Sequence, residues 1–346
     1  MHWTPTDPFR TSLTSCEALV PMQQHPHYAA ACRALGTGVL SLALVDGGSK
    51  RATAQILIRR WPLFGRFSLL SRGPVWDPEL DPFARRKALT DLVDALHKRF
   101  TGVMVTPELC DGADPLADAG LLEMVSPYHL AEIDLTVPEA ARRAALDPKW
   151  RNRLNRAEAL NLDTRVEPLP DDESHWLLHA EAAQARCRRY GRLPPRFSTA
   201  WARANSGAAK VFALYCNGKP AAGALILLHP PTASYHVGWT GPQGRAVSAH
   251  NLLLWQAGCW LAERGYRTLD LGNLDTESTP GLARFKLAAG GQPVRLGSTW
   301  MQAPGSAAVA RAGRWLGSLP AGGAGRKVDS PDWVRAQAVR IPTRSP

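Results

Sequence analysis

Apolar and polar positions along this 346-residue chain follow two periods that trade places several times. Residues 39–47 (VLSLALVDG) and 51–60 (RATAQILIRR) are rich in β-branched and aliphatic residues and flank a Gly-Gly pair, the pattern of a hairpin. Residues 66–76 read as a third strand. Residues 81–100 change to helical spacing behind Asp81-Pro82, a side-chain cap followed by a first-turn proline. A strand at 102–109, a short helix at 114–124 and a strand at 128–136 come next. The pattern then predicts a polar, basic helical passage over 137–170 and helices over 171–191 and 194–207. Residues 209–241 hold three strands, with turns at Asn217-Gly218 and Pro230-Pro231. Residues 248–266 form a helix that is apolar nearly all round, the mark of an element buried between layers, with Ser248 as its cap. A strand at 267–273, a short helix near 281–288 and a closing strand towards Trp300 complete the pattern.

Helix, antiparallel strands, helix, strand, helix, strand thus occurs twice. The order predicts two related α+β units, with a boundary between 147 and 148. The stretch 303–346 is rich in Gly, Pro, Ala and Arg and reads as a poorly ordered tail with one short helix around 307–316.

Composition narrows the function classes. With 45% hydrophobic and 21% charged residues the chain is globular, and no apolar run is long enough for a membrane span. The N-terminus lacks the pattern of a secretory signal, and the six cysteines are scattered without a Cys-x-x-Cys pair. A reducing, cytoplasmic location is expected. The net charge of +11 favours an anionic partner: a nucleic acid, a phosphorylated substrate, a cofactor pyrophosphate or an acidic membrane surface. His-Glu-x-x-His, Gly-x-Ser-x-Gly, Walker and Gly-x-Gly-x-x-Gly patterns are absent, and the histidines lack metal-ligand spacing. No metal site is expected.

Candidate chemistry concentrates between 233 and 300. A strand, a Gly-rich basic turn (Gly241 to Arg245) and a buried helix succeed one another. Free N–H groups at that helix start would form an anion site, with Gly244, Arg245, Ser248 and Asn251 as its candidate residues. The strand at 267–273 would lie parallel to the one before the turn, and a substrate could enter where the two splay. A plain turn in which glycines serve geometry alone is the other reading.

Four stretches carry a family resemblance. PKWRNRLNRAEALNLDTRVE (148–167), YHVGWTG (235–241), LAERGYRTLDLGN (261–273) and GLARFKLAAGG (281–291) resemble passages of the GNAT-type acyltransferases, and most closely of the Fem-type branch. The resemblance implies two tandem GNAT-like domains of mixed sheets flanked by helices, 1–147 and 148–302, with a site in the cleft between them. It implies transfer of an acyl or aminoacyl group to an amine. It also implies no tightly bound cofactor, with acyl-CoA or aminoacyl-tRNA entering as co-substrate. The Phe-Lys lysine of that branch, tied to substrate binding and transition-state stabilisation, corresponds to Lys286.

Lys286 would place an ammonium on a developing oxyanion, a leaving oxygen or a phosphate; a solvated surface lysine is the alternative. Phe285, with Leu282 and Ala289, would form the apolar stripe anchoring its helix. Asp270, alternating with two leucines, either orients or deprotonates the amine or is a structural carboxylate. Tyr235 and His236 are candidates for proton transfer, and alternation lets only one face the cleft; Tyr235 is preferred, and His236 joins the anion-binding group. Two basic runs, 142–156 with Arg151 and Arg153, and 186–196, would line a groove for tRNA or a phosphorylated substrate, or simply solvate helix faces. Trp150 and Trp201 would stack on a base or pack.

Overall fold

The computed structural model describes residues 1–7, 19–188 and 190–317. Cys16 and the part of the expected tail beyond 317 lie outside the described residues. The chain forms two compact units, one of residues 1–128 with 295–346, the other of 129–294.

The first unit runs β1 (His2–Pro5), α1 (Pro26–Ala34), β2 (Gly38–Asp46), β3 (Ser49–Trp61), β4 (Gly65–Ser71), β5 (Val75–Trp76), α2 (Pro82–Arg99), β6 (Gly102–Thr106) and β7 (Leu122–Val125). The second unit continues as β8 (His129–Asp134), α3 (Glu139–Ala144), α4 (Pro148–Ala159), β9 (Asp163–Pro168), α5 (Trp176–Arg188), α6 (Pro195–Ala204), β10 (Ala209–Cys216), β11 (Lys219–His229), β12 (Thr232–Thr240), α7 (Pro242–Ala246), α8 (Ala249–Glu263), β13 (Thr268–Asn273), α9 (Pro280–Ala288) and β14 (Gln292–Arg295). The chain then returns to the first unit as β15 (Thr299–Gln302) and α10 (Ser306–Gly317).

The first sheet is ordered β1-β2-β3-β4-β6-β15-β7, with β5 on β3. The second is ordered β14-β8-β13-β12-β11-β10-β9. In each, one parallel pair is made by a strand–helix–strand crossover: β4–α2–β6 and β12–α8–β13. In each, the strand on the far side of that pair comes from outside the local run: β15 beside β6, and β8 beside β13.

Local chemistry explains the main elements. The Asp81 carboxylate accepts from Ala84 N at 3.0 Å and caps α2, whose Leu89, Leu92 and Leu96 bury against Ile56, Leu70 and Val103 of the first sheet. Asn217 takes φ 51° at the β10–β11 turn, a conformation asparagine tolerates. β11 is apolar and buried along nearly its whole length, as a central strand covered on both faces must be.

Several expectations are corrected. Residues 114–120 form turns rather than a helix, and 122–125 are β7, because Asp114 is drawn into capping the amides of Leu116 and Ser298. Residues 163–168 of the expected helical passage are β9, paired antiparallel with β10. Gly241 to Arg245, expected as a turn, is largely the short helix α7. The strand at 129–134 pairs with β13 and so enters the second unit ahead of the expected boundary at 147/148.

Candidate functional site

β12 and β13 pair in parallel only through Thr232–Thr268, Ala233–Leu269 and Ser234–Asp270. β12 then runs on to Thr240 and β13 to Asn273 without a shared ladder. Each strand is bent where the pairing stops. On β12 the register against β11 shifts so that Tyr235 faces Ile226 and Val237 faces Leu225, which leaves His236 as the extra residue of a bulge. On β13 the register against β8 shifts between Asp270 and Asn273, and Gly272 takes φ 76°, a conformation that favours glycine. The β12–β13 ladder therefore ends early in the second unit, beside a bulge on each strand.

Asp270 is 8% exposed, and its Oδ1 accepts from Gly272 N at 2.6 Å. The carboxylate thereby closes the bend of its own strand. Lys286 on α9 is 6% exposed and donates from Nζ to the Asn273 carbonyl at 2.7 Å. A side chain at Gly272 would begin 3.8 Å from this ammonium. Burial lowers the lysine to about 8, and the Asp270 carboxylate works in the opposite direction. The surface-lysine alternative is thus excluded.

Phe285 packs between the rings of Trp150 and His250, with centroids 6.0 and 5.7 Å away. It anchors α9, but not through the expected stripe. Leu282 is 45% exposed, because Ala283 and Lys286, at i and i+3, are the positions turned inward.

Tyr235 and His236 part company at the bulge. The Tyr235 hydroxyl lies 2.8 Å from Nε2 of His250 on α8, and Nδ1 of the same ring lies 3.1 Å from Thr240 Oγ1. A Cβ at Gly238 would fall 1.6 Å from the Tyr235 oxygen, so only glycine leaves room for the ring. Burial pushes the phenol up, and Tyr190 and Glu181 add to the effect. His236 is instead engaged with α6, its Nε2 at 3.1 Å from Ser198 Oγ and its ring against Phe197. Burial lowers both His236 and His250 to about 4.

The expected anion turn is differently built. A Cβ at Gly244 would meet the Ala221 carbonyl at 2.4 Å, so this glycine serves close packing of α7 on β11. Arg245 donates to the Thr240 carbonyl at 2.5 Å. Ser248 stands at the cap of α8 with φ 55° and makes no side-chain cap bond. Asn251, in the first turn of α8, is buried and its amide nitrogen finds no partner.

The basic runs dissolve into separate roles. Arg142 is buried, bonded to the Val137 carbonyl and lying over Trp255. Arg143 pairs with Glu158, and Arg192 with Glu181 at 3.3 Å. Arg151 donates to the Ala144 carbonyl at 3.3 Å, and Arg153 is exposed on α4. Trp150 and Trp201 are buried in packing. A cavity of about 270 Å³ lies among α3, α4, α8 and α9, walled chiefly by Val137, Trp150, Leu254 and Trp255. Among the described residues no group of His, Cys, Asp or Glu is arranged to hold a metal ion, and no helix is long and apolar enough to cross a membrane.

The structure thus brings Lys286 and Asp270 together around one bend of β13, and places Tyr235 on the facing strand. It does not bring Arg151, Arg153 or His236 to them by any bond. Sequence reading missed His250, Thr240 and the Asn273 carbonyl. No local pattern joins His250 to Tyr235, and a carbonyl acceptor has no signature in side-chain identity.

Residues 142–287 match the family model described as an acetyltransferase (GNAT) domain. No curated protein matches the chain. Among solved structures, FemX shares the fold at TM-score 0.69 with 14% identity, over 86% of this chain and 96% of that one. The C-terminal domain of a putative lysylphosphatidylglycerol synthetase from Agrobacterium fabrum gives 0.52 and 17%, over 85% and 92%. A tandem GNAT protein from the clavulanic acid biosynthesis pathway gives 0.51 and 12%, over 87% and 98%. The match over 142–287, with the open β12–β13 pair inside it, gives the second unit the GNAT fold.

Proposed function

We propose that the protein is an N-acyltransferase of Fem type, which passes an acyl or aminoacyl group to an amine by direct attack, with both substrates bound together. The observation that carries this reading is the buried Lys286, tied to the Asn273 carbonyl where β12 and β13 separate. An ammonium carries three hydrogens, and one is engaged with Asn273. The other two are available to an oxyanion or a leaving oxygen in a site of low dielectric. A lysine at about 8 is still roughly nine-tenths cationic at pH 7.

Direct attack needs no covalent enzyme intermediate, only an amine held in line with an activated carbonyl. We assign to Tyr235, on β12 just past the last paired residue, the proton that the amine must shed. Asp270 keeps the bend of β13 in shape and supports the charge on Lys286. We place the reaction in the cytoplasm, in keeping with the unbridged thiols of the five described cysteines.

The donor divides the proposal. An aminoacyl-tRNA donor is supported by the basic excess and by the exposed Arg153 on α4. An acyl-CoA donor is supported by one specific observation, the unpartnered amide of Asn251 in the first turn of α8, where helix N–H groups favour a phosphate. Thermal-shift and mass-shift titrations with coenzyme A thioesters and with charged tRNA separate the two. Binding of tRNA should weaken steeply with salt and be lost in Arg153→Glu. Binding of the thioester should instead weaken in Arg245→Glu, as a raised donor KM. If neither donor binds, the enzyme reading fails; if Lys286→Ala leaves transfer intact, the role given to Lys286 fails.

A further inference from the structure

The ring of His250 is held at both nitrogens. Nε2 lies 2.8 Å from the Tyr235 hydroxyl, and Nδ1 lies 3.1 Å from the Thr240 hydroxyl. A neutral imidazole carries one hydrogen, so one nitrogen must accept. A phenol is a far stronger acid than an aliphatic hydroxyl, so the better pairing has Tyr235 donating to Nε2 and Nδ1 donating to Thr240. The phenol hydrogen is then committed to His250, and the lone pairs of the phenol oxygen turn away from it. That oxygen lies beside Gly238, within the part of β12 that β13 has left unpaired.

Resting on the acyl-transfer reading above, we infer that His250 is a positioning residue that makes Tyr235 a two-way proton carrier at the open edge of β12. As the amine attacks, the C–N bond forms and the carbonyl electron pair moves to oxygen. The surplus ammonium proton passes to the Tyr235 oxygen while the phenol proton passes to His250 Nε2. As the intermediate collapses, the bond from carbon to the leaving atom breaks and its electron pair goes to that atom. The proton then returns from His250 to Tyr235, and from Tyr235 to the leaving atom. One proton has moved from amine to leaving group and the protein is restored.

The surroundings suit a carrier that does not keep its proton. Burial holds His250 at about 4 and Tyr235 above its ordinary value. Phe285 covers the imidazole from α9, with the Lys286 cation next in the chain. Glu181 and Tyr190 act on the phenol, and Arg245 of α7 is bonded to the Thr240 carbonyl rather than to the ring.

The test has a kinetic arm and a spectroscopic arm. His250→Gln keeps the volume and an acceptor oxygen but cannot take a proton. With acetyl-CoA or an aminoacyl-tRNA, whichever the wild-type protein turns over, His250→Gln and Tyr235→Phe should each lower kcat about 100-fold at nearly constant KM. The double variant should fall no further than either single one. Wild-type kcat in His250→Gln, or a multiplicative loss in the double variant, overturns the inference. Independently of any turnover, nitrogen NMR of the His250 ring should show a protonated Nδ1 and a bare Nε2. The Nε2 signal should move in Tyr235→Phe and the Nδ1 signal in Thr240→Val. A hydrogen on Nε2 overturns the inference even if transfer is confirmed. If wild-type protein uses neither donor, the acyl-transfer reading fails, and the NMR arm decides the hydrogen-bond assignment alone.

Discussion

The two parallel crossovers of this chain share a plan and differ at one point. In β4–α2–β6 the strands stay together for five register pairs, Phe67–Gly102 through Ser71–Thr106, and Arg72 N still donates to the Thr106 carbonyl at 2.8 Å beyond them. In β12–α8–β13 the ladder stops after three pairs. The closed pair is filled by Leu70, Val103 and Val105, and no bulge interrupts β4 against β3. The open pair carries a bulge on each strand; Lys286 is bonded at the end of β13, and Tyr235 lies on β12 just past the last paired residue. The segments that leave the two crossovers differ too. After β6 the chain makes turns over 111–120, whereas after β13 it makes α9, which carries the lysine. The lesson is that one crossover serves as scaffold or as site according to whether its strands are allowed to part, since backbone groups freed from a ladder must find other partners.

The largest expected effect tests that contrast directly. Lys286→Met should lower kcat on the order of 100- to 1,000-fold, with circular dichroism unchanged, because it removes the cation from the open pair. Lys286→Arg sharpens the point. A lysine lowered to about 8 loses its charge as pH rises through 8, well before an ordinary lysine would, so wild-type activity should fall above pH 8. Arginine stays charged at these pH values. Its residual activity should show no such fall; a fall at the same pH in the arginine variant would mean that another group titrates.

Two glycines then set the crossovers against each other. A Cβ at Gly102 would stand 2.2 Å from the Phe67 ring, and one at Gly238 1.6 Å from the Tyr235 oxygen. Both alanine variants should cost about 1–3 kcal/mol in denaturant titrations. Only Gly238→Ala should lose turnover per folded molecule, roughly as Tyr235→Phe does. Equal loss from Gly102→Ala would break the division between scaffold and site.

A smaller effect concerns acid. His236 and His250 are lowered to about 4 when folded, below the ordinary histidine value. Between pH 6.5 and 4 the unfolded chain therefore binds more protons, and the stability of the neutral buried rings is lost as pH falls through that window. Melting temperature measured against pH should fall less steeply in His236→Gln and His250→Gln than in wild type. The smallest effect belongs to Arg153→Ala, exposed on α4, which should change stability by no more than about 0.5 kcal/mol.

Much of this molecule is legible in the sequence because it is written locally. Asp81 before Pro82 starts α2, and Asn217-Gly218 turns β10 into β11. The apolar circumference of 249–263 marks a helix buried between layers. The second crossover and the short helix bearing Phe285-Lys286 emerge from such patterns. Where local signals compete with distant partners, reading by period goes astray. Asp114 looks like a helix start, yet its carboxylate accepts from Leu116, Ser298 and Trp300 and holds a turn. Gly244 looks like a phosphate-turn glycine, yet the Ala221 carbonyl fills its open side.

By itself, then, the sequence determines most of the strands and helices and the order that makes two α+β units, because these depend on neighbours a few residues apart. It also places a lysine one residue after an anchoring phenylalanine. Only the tertiary structure decides that this lysine is buried, that its partner is the Asn273 carbonyl, and that His250 meets Tyr235. Those outcomes depend on where two strands cease to pair, which is settled by packing and hydrogen bonds between residues far apart in the chain.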